Sequence, residues 1–231
     1  MIEISRRKAM GAILAGVASV SMLGGAEAKR NAKQYREEKK KMKVYDNAHF
    51  YGDDGQFRES VAKAAYYEMM EHYKYPIPER LRGDEFWTLD FGLGKFTEIG
   101  MAGIFWVNNL EHNYFGHDIY LFPGQSIPEH RHMKTALAGP KLEAWHVRHG
   151  SVYIYGEGDP TPGVEARIPS THKDCLIAKH EQKLMPGEVG ELHGPEEWHW
   201  MKAGPEGAIV TEYATYHDGD GLRFSHPDAR M

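Results

Sequence analysis

The sequence predicts an all-β barrel or sandwich preceded by a helical extension, on three observations. From Phe86 onward the chain breaks into short apolar and alternating runs separated by Gly- and Pro-rich turn signals, with no helical pattern between them. Only the stretch Phe57, Val61, Ala64, Ala65, Met69 and Tyr73 is spaced like the buried face of a helix. A length of 231 residues suits one domain with a real core.

The amino-terminal segment reads as an address. Ser5-Arg6-Arg7-Lys8 precedes an apolar run, Ala9 to Leu23, and then Gly24-Gly25-Ala26-Glu27-Ala28, an A-x-A cleavage pattern. The paired arginines resemble a twin-arginine export signal over residues 1–28, which implies a periplasmic or cell-envelope protein. The run is too short for a permanent membrane span, so none is expected once the signal is removed. Residues 29–85 then form a basic linker and the helical extension. Asp53-Asp54-Gly55 is expected to cap the helix from Phe57 to Tyr73, and Pro76 and Pro78 end it.

Within residues 86–231 the expected strands are 99–107, 114–122, 126–132, 142–147, 151–155, 175–179, 188–192, 199–202 and 208–214. Pro123-Gly124, His149-Gly150, Pro186-Gly187 and Gly204-Pro205-Glu206-Gly207 punctuate them. The stretch 156–171 has no periodicity and is expected to be a surface loop or partial lid. Cys175 is the only cysteine, so no intramolecular disulfide forms. A formal charge of −5 gives no nucleic-acid footprint, and the expected partner is a small molecule.

The chemistry concentrates between Gly124 and Gly150. His130 and His132 share one face of an extended strand, as do Lys141 and Glu143. Two imidazoles and a carboxylate suit a first-row divalent metal, given one more ligand. The order Gly124, His130, His132, Glu143, Gly150 resembles the first motif of the cupin superfamily, with a longer connection before Glu143. Leu184-Met185-Pro186-Gly187-Glu188, Leu192, Pro195 and His199 resemble the second. The resemblance implies a single cupin, a double-stranded β-helix or jelly-roll barrel, in which His199 is the fourth ligand and His193 its competitor.

A narrower resemblance covers roughly residues 45–230. Trp87-Thr88-Leu89-Asp90-Phe91-Gly92-Leu93-Gly94-Lys95-Phe96, Pro128-Glu129-His130-Arg131-His132, Lys141-Leu142-Glu143, His199-Trp200 and Glu212-Tyr213-Ala214-Thr215 are similar to the D-lyxose isomerase family. That implies aldose–ketose isomerisation of a monosaccharide through a cis-enediol. It also implies one divalent ion, manganese before zinc, iron, cobalt or nickel, on His130, His132, Glu143 and His199.

Such a reaction needs a Lewis acid and a base that returns its proton. Lys141 is the expected cation beside the sugar oxygens and Glu212, a lone acid in an apolar strand, the expected base. His193, Trp200 and Asp218 are candidate substrate contacts. Ala144 to His149 and His217-Asp218-Gly219-Asp220 depart from the family pattern, where acidic runs are the rule. A homodimer is expected from barrels of this size. Alternative functions are another metal cupin enzyme, a dioxygenase or lyase, or a non-catalytic exported carbohydrate-binding cupin.

Overall fold

The computed structural model describes residues 42–231. The expected export signal and most of the expected basic linker lie outside the described residues. A 3-10 turn, Asn47–Phe50, leads to helix α1, Glu59–His72, and a single turn α2, Glu79–Arg82. Nine strands follow: β1 Phe86–Leu89, β2 Met101–Asn109, β3 Tyr114–Leu121, β4 Ser126–His132, β5 Glu143–Gly156, β6 His180–Leu184, β7 Val189–Glu191, β8 His199–Ala214 and β9 Leu222–Phe224. The order β1-β2-β3-β8-β4-β9 is antiparallel throughout, and β5 pairs with β6, β7 and β8. Among the described residues no helix is long and apolar enough to cross a membrane.

Two long strands make the curled sheet. Residues 142–147 and 151–155 are one strand, β5, and 199–202 and 208–214 are one strand, β8. The expected turns at His149-Gly150 and Gly204 to Gly207 are instead bends inside them, where the register jumps from Gly150↔Ala208 to Val152↔Ala203. One half of β8 therefore pairs with β3 and the other with β4. Gly150 has φ +72, and a Cβ there would fall on the Gly207 carbonyl oxygen, so the two bends can nest only without side chains.

Alternation sorts the sheet residues. Ala102, Ile104, Tyr120, Phe122 and Ile209 face outward and meet Ala62, Ala65, Tyr66, Met69 and Met70 of α1 in a fully buried cluster. Gln125 ties this cluster to the barrel end, because its Oε1 accepts from the Tyr66 hydroxyl at 2.6 Å and from Phe122 N at 2.9 Å. Met101, Ile119, Ile127, Val147, Val210 and Met201 face inward and form the barrel core.

Four local expectations need correction. α1 begins at Glu59 behind Arg58, since Asp54 accepts from Gln56 N and closes a tight turn of its own. Cys175 to Lys179 is not a strand, because the buried Glu129 carboxylate accepts from Ile177 N and Ala178 N and takes them out of any ladder. The loop after Gly156 is not a lid. Val164 and Ile168 pack with Tyr155 and Trp200 on the outside of the sheet, and none of its residues lines the cavity described below. β1 and β9, at the two ends of the sheet path, and β6 are short strands that the pattern did not mark.

Gly150→Ala is expected to destabilise the protein by about 2 to 4 kcal/mol, the sum of a left-handed backbone and an overpacked carbonyl. Thermal unfolding measures it; an unchanged melting temperature would contradict the nested bends.

Candidate active site

The inward faces of both halves of the barrel line an open cavity of about 670 Å³, a volume that includes the solvent at its mouth. β4 contributes His130 and His132, the approach to β5 contributes Lys141 and β5 itself Glu143, and β8 contributes His199 at one end and Glu212 at the other. The bent β8 lets residues thirteen positions apart in one strand meet in one space. Strand alternation reaches back past the start of β5, for Lys141 is 4% exposed and Leu142 43%. The expected pairing of Lys141 and Glu143 on one face is what the backbone delivers.

His130, His132, Glu143 and His199 each offer a ligand atom, all within 4.8 Å of one another. His130 Nδ1 donates to Pro128 O and His199 Nδ1 to Glu197 O, both at 2.9 Å. These bonds fix the tautomer and leave each Nε2 as the lone-pair atom. His199 Nε2 lies 2.8 Å from Glu143 Oε2, and His132 Nε2 lies 3.4 Å from Glu143 Oε1. Neither His132 nitrogen, nor His199 Nε2, nor Glu143 Oε2 is aligned for a hydrogen bond, although all are buried. Three nitrogens and one carboxylate with orphaned, converging lone pairs fit a divalent cation.

Electrostatics agree with that fit. Burial, with His199 and His132 nearby, pushes the His130 imidazole well below its usual range and keeps it neutral, as a ligand must be. Burial alone would raise the Glu143 carboxyl, but Lys141, His132 and His199 outweigh it and hold the group well below the usual carboxylate range. Burial opposes a charged His199 too, yet Glu143 raises its affinity for a proton. A metal would take the place of that proton.

Beside this group, Lys141 Nζ donates to Glu143 Oε1 at 2.6 Å and to Glu212 Oε1. Burial would lower its pKa, and the two carboxylates reverse the sign, so the ammonium is kept charged. Glu212 Oε2 contacts His117 Nδ1 at 3.1 Å.

The structure brings Lys141 and Glu212 into the cavity with the four metal-ligating candidates. It does not bring the three expected substrate contacts there as polar groups. His193 lines a separate, smaller pocket and its backbone bonds Glu197. Trp200 borders the cavity, but its indole is stacked on Tyr155 at 3.7 Å and its N–H is taken up by Ala178 O. Asp218 accepts from Thr135 Oγ1 and caps the 3-10 turn Gly219–Gly221.

Two histidines that sequence reasoning passed over occupy the cavity instead, His117 and His217. His117 alternates with Phe115 and Ile119 on the inward face of β3, a signal available in the pattern but masked by its neighbour Asp118. His217 follows the end of β8, where periodicity says nothing. The Asn108 side chain clamps its backbone in two hydrogen bonds of 2.8 and 3.0 Å, and its ring stacks on Phe115. Burial, then the Lys141 ammonium and His132, lower its pKa to about 3, so it faces the cavity as a neutral imidazole.

No family model matches the chain. The D-lyxose/D-mannose isomerase of Thermosediminibacter oceani is 37% identical over 138 residues, covering 60% of this chain and 75% of that protein. The chain belongs to the D-lyxose isomerase family. The D-lyxose ketol-isomerase of Thermofilum sp. is 38% identical over 141 residues, 61% of this chain and 77% of that protein. Outside such close relatives, the fold is shared with L-ribose isomerases. That of Cellulomonas parahominis without ligand overlays with a TM-score of 0.60 at 14% identity, over 78% of this chain and 95% of that one. The Acinetobacter sp. DL28 enzyme in complex with L-ribose gives 0.60 at 14% identity, over 78% and 95%. The barrel of this D-lyxose isomerase family member is thus a single cupin with a helical extension packed on its outer face.

Glu143→Ala is expected to abolish retention of a divalent ion, because the three imidazoles lose the anion that holds them together. Elemental analysis after dialysis checks this, and full metal occupancy in the variant would contradict the ligand set.

Proposed function

We propose that the protein is a divalent-metal-dependent aldose–ketose isomerase acting on monosaccharides of the D-lyxose or D-mannose kind. The observation that carries the reading is the buried ammonium of Lys141, shared between Glu143 of the metal-ligating group and Glu212, in the cavity that the metal-ligating candidates line. A protein that only bound sugar would have no use for a buried base and cation side by side. Membership of the D-lyxose isomerase family supports the same substrate class.

An ion on His130, His132, Glu143 and His199 would supply Lewis acidity to the sugar's carbonyl end. Glu212 then removes the proton at C2 and returns it to C1, while Lys141 stands beside the oxygens as the cation and passes a proton from O2 to O1. Aldose becomes ketose with no atom gained or lost. Trp87, Phe105, Phe115 and Trp145 wall the cavity against bulk water, which strengthens each of these interactions. His217 offers a neutral imidazole to a sugar hydroxyl. Manganese is the ion we favour, and the Arg6-Arg7 segment with its apolar run supports work in the cell envelope.

The test is incubation of manganese-loaded protein with a panel of aldoses and ketoses in D2O. Interconversion is expected for the wild type, with solvent deuterium entering at C1 of a ketose formed from an aldose and at C2 of an aldose formed from a ketose. Glu212→Gln should lower kcat by about 10²- to 10⁴-fold while keeping its metal. No turnover of any sugar, or Glu212→Gln at wild-type rate, would overturn the reading.

A further inference from the structure

His117 is the titratable group in the cavity that the proposed chemistry leaves unused, and the chain makes unusual provision for it. It faces Glu212 directly across the β3–β8 ladder. Its ring stacks on Trp87 at 5.5 Å and meets the edge of Phe105 at 5.0 Å. Diagonally across the β2–β3 ladder, position 103, the partner of Ile119, is a glycine, and a Cβ there would fall on His117 Nε2 and on the Trp87 ring. Any other residue at 103 would displace the imidazole. Within this cage His117 is 5% exposed and its Nε2 is buried without a hydrogen-bond partner. A buried, unpaired ring nitrogen costs stability, so packing alone would favour a phenylalanine at this position. The one polar contact the ring makes is Nδ1 to Glu212 Oε2 at 3.1 Å.

We infer that His117 is a positioning residue for the base Glu212, donating Nδ1–H to Oε2 so that the carboxylate is held in one plane between an imidazole and the Lys141 ammonium. The Lys141 ammonium already occupies Oε1, which leaves the carboxylate an acceptor on both oxygens and assigns the proton to Nδ1. A carboxylate on a bent strand with one donor would rotate about its last bond. Two donors on opposite oxygens remove that freedom and fix the direction from which it approaches a C–H bond. The aromatic cage in turn prevents the imidazole from turning away. The arrangement acts on proton transfer and not on sugar affinity.

This inference rests on the isomerase reading of the cavity, and three variants of the full manganese-loaded chain separate the two. His117→Phe keeps the aromatic packing and removes the donor. His117→Asn places an amide N–H near the position of Nδ1, whereas His117→Gln carries its amide out toward Nε2. The Phe and Gln variants should lose about 10- to 100-fold in kcat with KM changed by less than about threefold, and Asn should recover most of the rate. Melting temperature and metal content are measured on each, and the Asn–Gln contrast stands even if the Phe variant does not fold. Wild-type kcat in His117→Phe or His117→Gln, or equal loss in Asn and Gln, would overturn the positioning role while leaving the isomerase intact. A wild type that turns over no sugar would defeat the isomerase reading itself.

Discussion

The Lys141 ammonium, buried between the carboxylates of Glu143 and Glu212, is the interaction on which the rest of the site depends. An isolated ammonium at this depth would cost several kcal/mol in lost hydration. Each carboxylate at contact distance returns about 4 kcal/mol at an effective dielectric of 20, so one partner roughly breaks even and two favour the charged form. The same ammonium lowers the proton affinity of Glu143, which readies that group as an anionic ligand, and it adds to the burial that keeps the His217 ring neutral. Removing it would leave two carboxylates facing each other in an apolar cavity. One side chain thus couples the metal-ligating half of the site to the proton-transfer half.

The fold supplies that coupling through its long strands. Glu143 and Glu212 lie on β5 and β8, paired along their length, and Lys141 enters just ahead of β5. β8 bends at Gly207 so that His199 lies beside β4 and Glu212 beside β3. The connection from His132 to Lys141 is held away from the cavity, with Met133 N bonded to Gly221 O and Thr135 bonded to Asp218. Its extra length is absorbed at the barrel rim, and Glu143 keeps its place on the strand. Helix α1 serves the other side of the sheet, where it covers the apolar outer face that a bare barrel would expose.

Much of this was legible in the residues. Periodicity marked α1 and most strands because each presents one apolar face, and the His-x-His and Lys-x-Glu pairs announced themselves through two-residue alternation. Continuity was harder to read. Gly150 and Gly204 to Gly207 carry the same composition whether they end a strand or bend it, and only the nesting of the two bends decides. Motif matching drew both His199 and Trp200 toward the site, and it could not show that the Trp200 indole is taken up by Tyr155 and Ala178. His117 and Glu129 were illegible for a common reason. Their meaning lies in what they touch far away in the chain, Glu212 across the β3–β8 ladder for one and the amides of Ile177 and Ala178 in a loop for the other, and a single sequence does not display such pairs.

The most direct test of the account is an anomalous-scattering crystal structure of the full chain grown with manganese. The account predicts a single strong anomalous peak bonded by His130, His132, Glu143 and His199, with Lys141 Nζ still bridging Glu143 and Glu212. A peak on other residues, or Lys141 turned out of the cavity with the metal bound, would contradict it.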